Sequence, residues 1–144
     1  MNFCYVNPDG GPIKVKITVD NGARSNWNCA HANKEDDNNW KAIEAFKLNS
    51  GDDGTTEHVL TADVKAFDET SLLWKVTACA SILGAEKARF LLVIFQDDVE
   101  LFEKKSERKV PQCQQNKAVQ FKSMIAFKFH SDKDENVDIW DVLS

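Results

Sequence analysis

At 144 residues, 42% of them hydrophobic and 28% charged, the chain has the size and make-up of one folded domain able to bury its own core. This composition excludes a disordered chain, and the longest apolar run, residues 90–95, is far too short for a membrane-spanning helix, so no membrane insertion is expected. The net charge of −5 is concentrated in residues 131–144, where five acids face Lys133 alone; the near-neutral remainder suggests no basic face for nucleic acid.

In chain order, the first element is residues 13–20, where Ile13, Val15, Ile17 and Val19 alternate with Lys14, Lys16 and Thr18. That is the period of a half-buried strand, and the turn signal Asp9-Gly10-Gly11-Pro12 precedes it. Residues 20–39 are polar and rich in Asn, and read as a long loop that is either functional or partly structured. Residues 40–48 fit a helix or a strand; strand is preferred because the neighbours are strands. Residues 49–56 form a glycine-containing turn.

Two further strands are expected over residues 58–67 and 71–81, the second with Leu72, Trp74, Val76, Ala78 and Ala80 on one face. Residues 90–95 read as a strand covered on both faces. Residues 99–103 would continue it past a bulge, and residues 103–109 would be a charged loop closed by Pro111. The final strand spans residues 119–129, with Val119, Phe121, Ile125, Phe127 and Phe129 together. The pattern predicts an all-β fold: a single-domain antiparallel β-sandwich of about 6–8 strands over residues 1–144, with at most one short helix and an acidic tail at 131–144.

Four cysteines, Cys4, Cys29, Cys79 and Cys113, lie far apart without a CxxC pair. The first residues carry neither a basic start nor an apolar stretch, so a cytoplasmic protein with reduced thiols is expected, Cys79 serving as a small core residue. On a strand, Cys29 and His31 would share a face and could hold zinc with Cys4 or Cys113; the plainer reading is an ordinary loop cysteine and histidine. The carboxylates of Asp132, Asp134 and Asp138 offer a shallow calcium site, although no EF-hand glycine or bidentate glutamate stands at the required places. The plainer account is a solvated turn with a frayed acidic end.

None of the three histidines sits in a nucleophile motif, and GxSxG, HExxH and phosphate-loop patterns are missing, so no catalytic residue is assigned. The suggestive feature is aromatic: Trp27 beside Asn28 and His31, and Trp40 after Asp36 and Asp37. An indole among Asn and Asp side chains can stack on a sugar ring and bond its hydroxyls, or can simply pin its loop to the domain.

The second half resembles the PixA/AidA inclusion-body protein family of bacteria. The likeness rests on Ala62-Asp63-Val64, then Leu72-Leu73-Trp74-Lys75-Val76-Thr77, Ser81, the strand 91–95, and the strand 121–129 with its acidic turn at 131–137. The first half departs from that pattern, lacking the opening strand with an acidic residue and the Pro/Asn-rich insertion. The resemblance implies a compact β-sandwich without catalytic activity that binds carbohydrate or a host surface.

These readings predict a non-enzymatic binding module with a glycan or protein ligand, carbohydrate being preferred for its loop aromatics. The alternatives are a small acidic inhibitor or immunity-type protein that neutralises a basic partner, and a small hydrolase using His31 or His58. An exposed edge strand would give a homodimer by pairing two copies.

Overall fold

The computed structural model describes residues 2–20, 22–50, 54–81 and 87–129. The acidic tail, with the calcium candidates Asp132, Asp134 and Asp138 and with Trp140, lies outside them.

Nine strands among the described residues build two facing sheets. They are β1 (Phe3–Val6), β2 (Ile13–Asp20), β3 (Ala23–Asp36), β4 (Asn39–Ser50), β5 (Thr55–Val59), β6 (Ser71–Ala80), β7 (Lys87–Gln96), β8 (Val99–Lys109) and β9 (Val119–Phe129). One sheet has the order β1-β9-β6-β3-β4 and the other β5-β2-β7-β8. This is the expected all-β sandwich, and it departs from antiparallel pairing where β1 runs parallel to β9 and at the isolated parallel bridge of Ala80 with Gln112. The inward residues of both sheets make the core, with Ile13, Val15, Ile17 and Val19 of β2 facing Trp27, Trp74, Val76, Ile125 and Phe127. No helix among the described residues is long and apolar enough to cross a membrane.

Three segments differ from their sequence reading. The polar stretch 20–39 is not a loop. After Gly22, which adopts a left-handed φ of 75°, the chain enters β3 with Ala23, Ser25, Trp27, Cys29 and His31 inward and Arg24, Asn26 and Asn28 outward. The period of two is present, but Ser, Cys and His occupy its buried phase. Residues 58–67 form a strand only to Val59; Asp63 then caps a single 3-10 turn, Val64–Ala66, that drops Val64 and Phe67 into the core. Residues 99–109 neither continue β7 nor form a loop. Asp97 and Asp98 both take left-handed φ values, 52° and 62°, and this two-residue turn returns the chain as β8, antiparallel to β7. β8 is an edge strand, and its charges are those by which edges avoid adding further strands.

The cysteines also depart from expectation. Cys79 and Cys113 form a disulfide that ties β6 to the 3-10 turn Cys113–Gln115, with a Cα–Cα distance of 5.0 Å. Cys4 and Cys29 are free and buried, and burial pushes both thiols up to about 12.

Candidate functional site: the outer face of the five-stranded sheet

The register of β4, β3, β6 and β9 sets residues in rows across the outer face. One row is Ala45, Ala30, Leu73 and Met124; the next is Lys47, Asn28, Lys75 and Lys122. An apolar strip therefore lies against a strip of three lysines and an asparagine. Neighbouring strands are about 4.8 Å apart, so the lysine row spans about 14 Å.

The fourth wall comes from the β3–β4 hairpin, which runs past the last β6 partner of β3, Ala32, and projects from the sandwich. A bulge between His31 and Ala32 on β3, opposite Glu44 and Ala42, inserts Ile43 and re-aims the hairpin. Trp40 thereby comes to line a shallow cavity of about 630 Å³ together with Asn28, Ala30, Leu73, Lys75, Lys122 and Met124. The indole is half-buried, and the Lys34 ammonium lies over it, 6.0 Å from the ring centroid. Lys75 and Lys122 stand directly opposite each other, and among the described residues neither reaches a carboxylate within 4.0 Å. Composition alone hid this basic strip, because the acids that balance it lie elsewhere on the chain.

The sequence candidates divide between this face and the interior. Asn28 and Trp40 meet at the cavity. Trp27 does not: it is 2% exposed, packs edge-to-face on Phe90 with centroids 6.5 Å apart, and donates from Nε1 to Ser25 Oγ at 2.8 Å. It is a core residue, because residue 27 falls on the inward phase of β3. His31 shares that phase and is fully buried, packed against Phe67 with centroids 4.3 Å apart and the rings tilted by 35°. Burial lowers its pKa to about 4, against an opposing pull from Glu44, so the ring is neutral at pH 7. Neither Trp27 nor His31 can touch a ligand at the surface.

Asp36 and Asp37 sit exposed at the hairpin tip. Asp36 accepts hydrogen bonds from the Asn39 side chain (2.8 Å) and from the backbone N–H groups of Asn38 and Asn39, which hold its carboxyl below the usual range. Its role is to close the turn. Cys29 and His31 do face the same way, but Cys113 is committed to Cys79, and among the described residues no three His, Cys, Asp or Glu side chains converge as metal ligands.

A second ionisable cluster bridges the two sheets at β4 and β5. Glu44 Oε2 lies 2.8 Å from His58 Nε2, Glu44 Oε1 accepts from the Thr61 N–H at 2.9 Å, and Phe46 stacks on the His58 ring. Burial works to raise the Glu44 pKa, but the bonds from Thr61 and His58 outweigh it and hold the carboxyl low. The bonded partner of His31 is Thr70 and that of His58 is Glu44, so neither ring bonds a serine or cysteine.

No protein-family model and no curated protein matches the chain. Among solved structures it is similar to a domain of unknown function, DUF4425, from Bacteroides vulgatus ATCC 8482. The alignment covers 83% of this chain and 96% of that one, with a TM-score of 0.50 and 11% identity. The likeness is one of fold. It carries the two-sheet architecture and no statement about a ligand.

Sequence reasoning missed Leu73, Lys75, Lys122 and Met124. The available signal was on two readily identified strands: the outward phases of β6 and β9 each set an apolar residue beside a lysine.

Proposed function

We propose that the protein is a non-enzymatic carbohydrate-binding module whose ligand lies across the outer face of the five-stranded sheet. The observation that carries this reading is Trp40, a half-exposed indole at the wall of a shallow apolar trough bordered by hydrogen-bonding side chains. Indole faces stack on the C–H face of a sugar ring, while asparagine and lysine donors meet its hydroxyls. The trough is open, which suits an extended chain better than a small apolar molecule needing enclosure. The Cys79–Cys113 disulfide favours a working place in an oxidising compartment over the reducing cytoplasm.

The test is a glycan array probed with purified protein, with and without calcium, beside Trp40→Ala and Asn28→Ala. A sugar hit lost in both variants, with unchanged circular dichroism, is the expected result. A blank array, or a hit indifferent to both substitutions, would overturn the reading.

The projecting hairpin supports a second reading. Its tip carries exposed Glu35, Asp36 and Asp37, a small acidic surface suited to a basic protein partner. Such a complex would weaken steeply with salt and with Asp37→Asn, and would be indifferent to Trp40→Ala.

A further inference from the structure

Resting on the carbohydrate reading above, we infer that the saccharide is anionic, bearing carboxylate or sulfate groups that lie along the lysine row. Lys75 and Lys122 are directly opposed on adjacent strands, and Lys47 continues their row across Asn28. Like charges in directly opposed sheet positions destabilise the pair. A carboxylate on a neighbouring strand can relieve such a pair, and this protein does so elsewhere: Lys87, directly opposite Lys109, reaches Glu107. On the candidate face the neighbouring places are taken by Asn28, Leu73 and Met124, none of them an acid, so a bound anion would relieve the pair.

The geometry also sets the orientation. The lysine row runs perpendicular to the strands beside the apolar row, so an extended chain crossing β4, β3, β6 and β9 would place one edge on lysines and its flat face against Met124 and Trp40. A nucleic acid would also offer anions and stackable rings. The site, however, has one half-exposed indole and three lysines, whereas single-strand binders line a long groove with several aromatics, and the chain as a whole is acidic at −5.

Binding is measured by titration calorimetry for heparin, polygalacturonate, neutral dextran and a thymidine oligonucleotide, each at low and high salt. The proteins are the wild type, Lys75→Gln, Lys122→Gln and the double variant. The expected result is binding of at least one acidic polysaccharide, weakened by salt and reduced about tenfold by each glutamine, as for the loss of one charge-assisted contact. The same polymer should raise the melting temperature of the wild type and leave that of the double variant unmoved. The glutamines remove a repulsive pair, so the variants fold. Binding of neutral dextran alone, or of an acidic polymer equally by wild type and double variant, overturns the inference and leaves the carbohydrate reading standing. Binding of the oligonucleotide alone, or of nothing, also overturns the inference, and the glycan array then decides the carbohydrate reading.

Discussion

His31 Nε2 lies 2.8 Å from Thr70 Oγ1, and the Thr70 hydroxyl in turn donates to the Phe67 carbonyl at 2.6 Å. With its only proton committed, the hydroxyl can only accept from the histidine. The ring is therefore the Nε2–H tautomer, and its Nδ1 is buried without a partner. Protonating Nδ1 would place a charge in the core, which is why burial lowers the pKa from 6.5 to about 4.

The sign of the resulting pH dependence follows from the direction of that shift. Below about 6.5 the unfolded chain binds a proton that the folded protein refuses until about pH 4, so stability falls as pH falls through that window and is steady below it. The total is about 3 kcal/mol for this residue alone. Urea midpoints across the window should drop in the wild type and drop less in His31→Phe, whatever that variant's stability at neutral pH. Parallel slopes would show that the ring charges freely.

The Cys79–Cys113 bond closes a loop of 34 residues that contains all of β7 and β8. Closing a loop of that length in the unfolded chain stabilises the fold by about 4 kcal/mol. Reduction, or Cys79→Ser, should lower the urea midpoint accordingly, although the backbone bond from the Ala80 N–H to the Pro111 carbonyl (2.7 Å) retains part of the tether. Alkylation read by mass should label no cysteine in the native oxidised protein. After reduction it should label Cys79 and Cys113 first, because the thiols of Cys4 and Cys29 are buried and held protonated.

The strands that could be read from sequence are those whose buried phase is uniformly apolar. β2 declares itself through Ile13, Val15, Ile17 and Val19, and β9 through its phenylalanines. β3 hides, because its buried phase is Ser25, Trp27, Cys29 and His31. Those polar groups are tolerable inside only through partners on other elements: Ser25 with Ser50, and His31 with Thr70. β8 hides for the opposite reason, since an edge strand needs charge more than it needs a buried face. The site was half legible. Trp40 stood out as an indole among polar residues, but that Lys75 faces Lys122 is a fact of register, which depends on how two distant strands align.

Glu44 holds the seam between the sheets, with its side chain 14% exposed and that of His58 29% exposed. Glu44→Ala removes the acceptor of the Thr61 N–H and the partner of His58 together, and should cost about 1–3 kcal/mol. Glu44→Gln keeps an acceptor for Thr61 and should cost less. Because the Glu44 carboxyl is held low, its contribution is present above the ordinary carboxylate range and is lost as pH falls through the lowered value. The gap between wild type and Glu44→Gln in denaturant should therefore narrow in acid. A gap that stays constant would mean that the seam is held by the Phe46–His58 stack instead.

Trp27 and Trp40 stand on successive strands of one sheet and should give opposite results when removed. Trp27→Ala empties a fully packed site against Phe90 and leaves Ser25 Oγ without its indole donor, a loss of about 3–5 kcal/mol. Trp40→Ala removes a half-exposed ring from a hairpin that lies beyond the sandwich core, where losses stay within about 1 kcal/mol. Glycan affinity should follow the reverse order: abolished by Trp40→Ala, and kept by Trp27→Phe, which preserves most of the buried ring. Measuring denaturation and binding on the same samples separates the two roles. If Trp27→Phe lost binding while its unfolding midpoint held, the ligand would have to reach the inner face of β3, and the site would be in the wrong place.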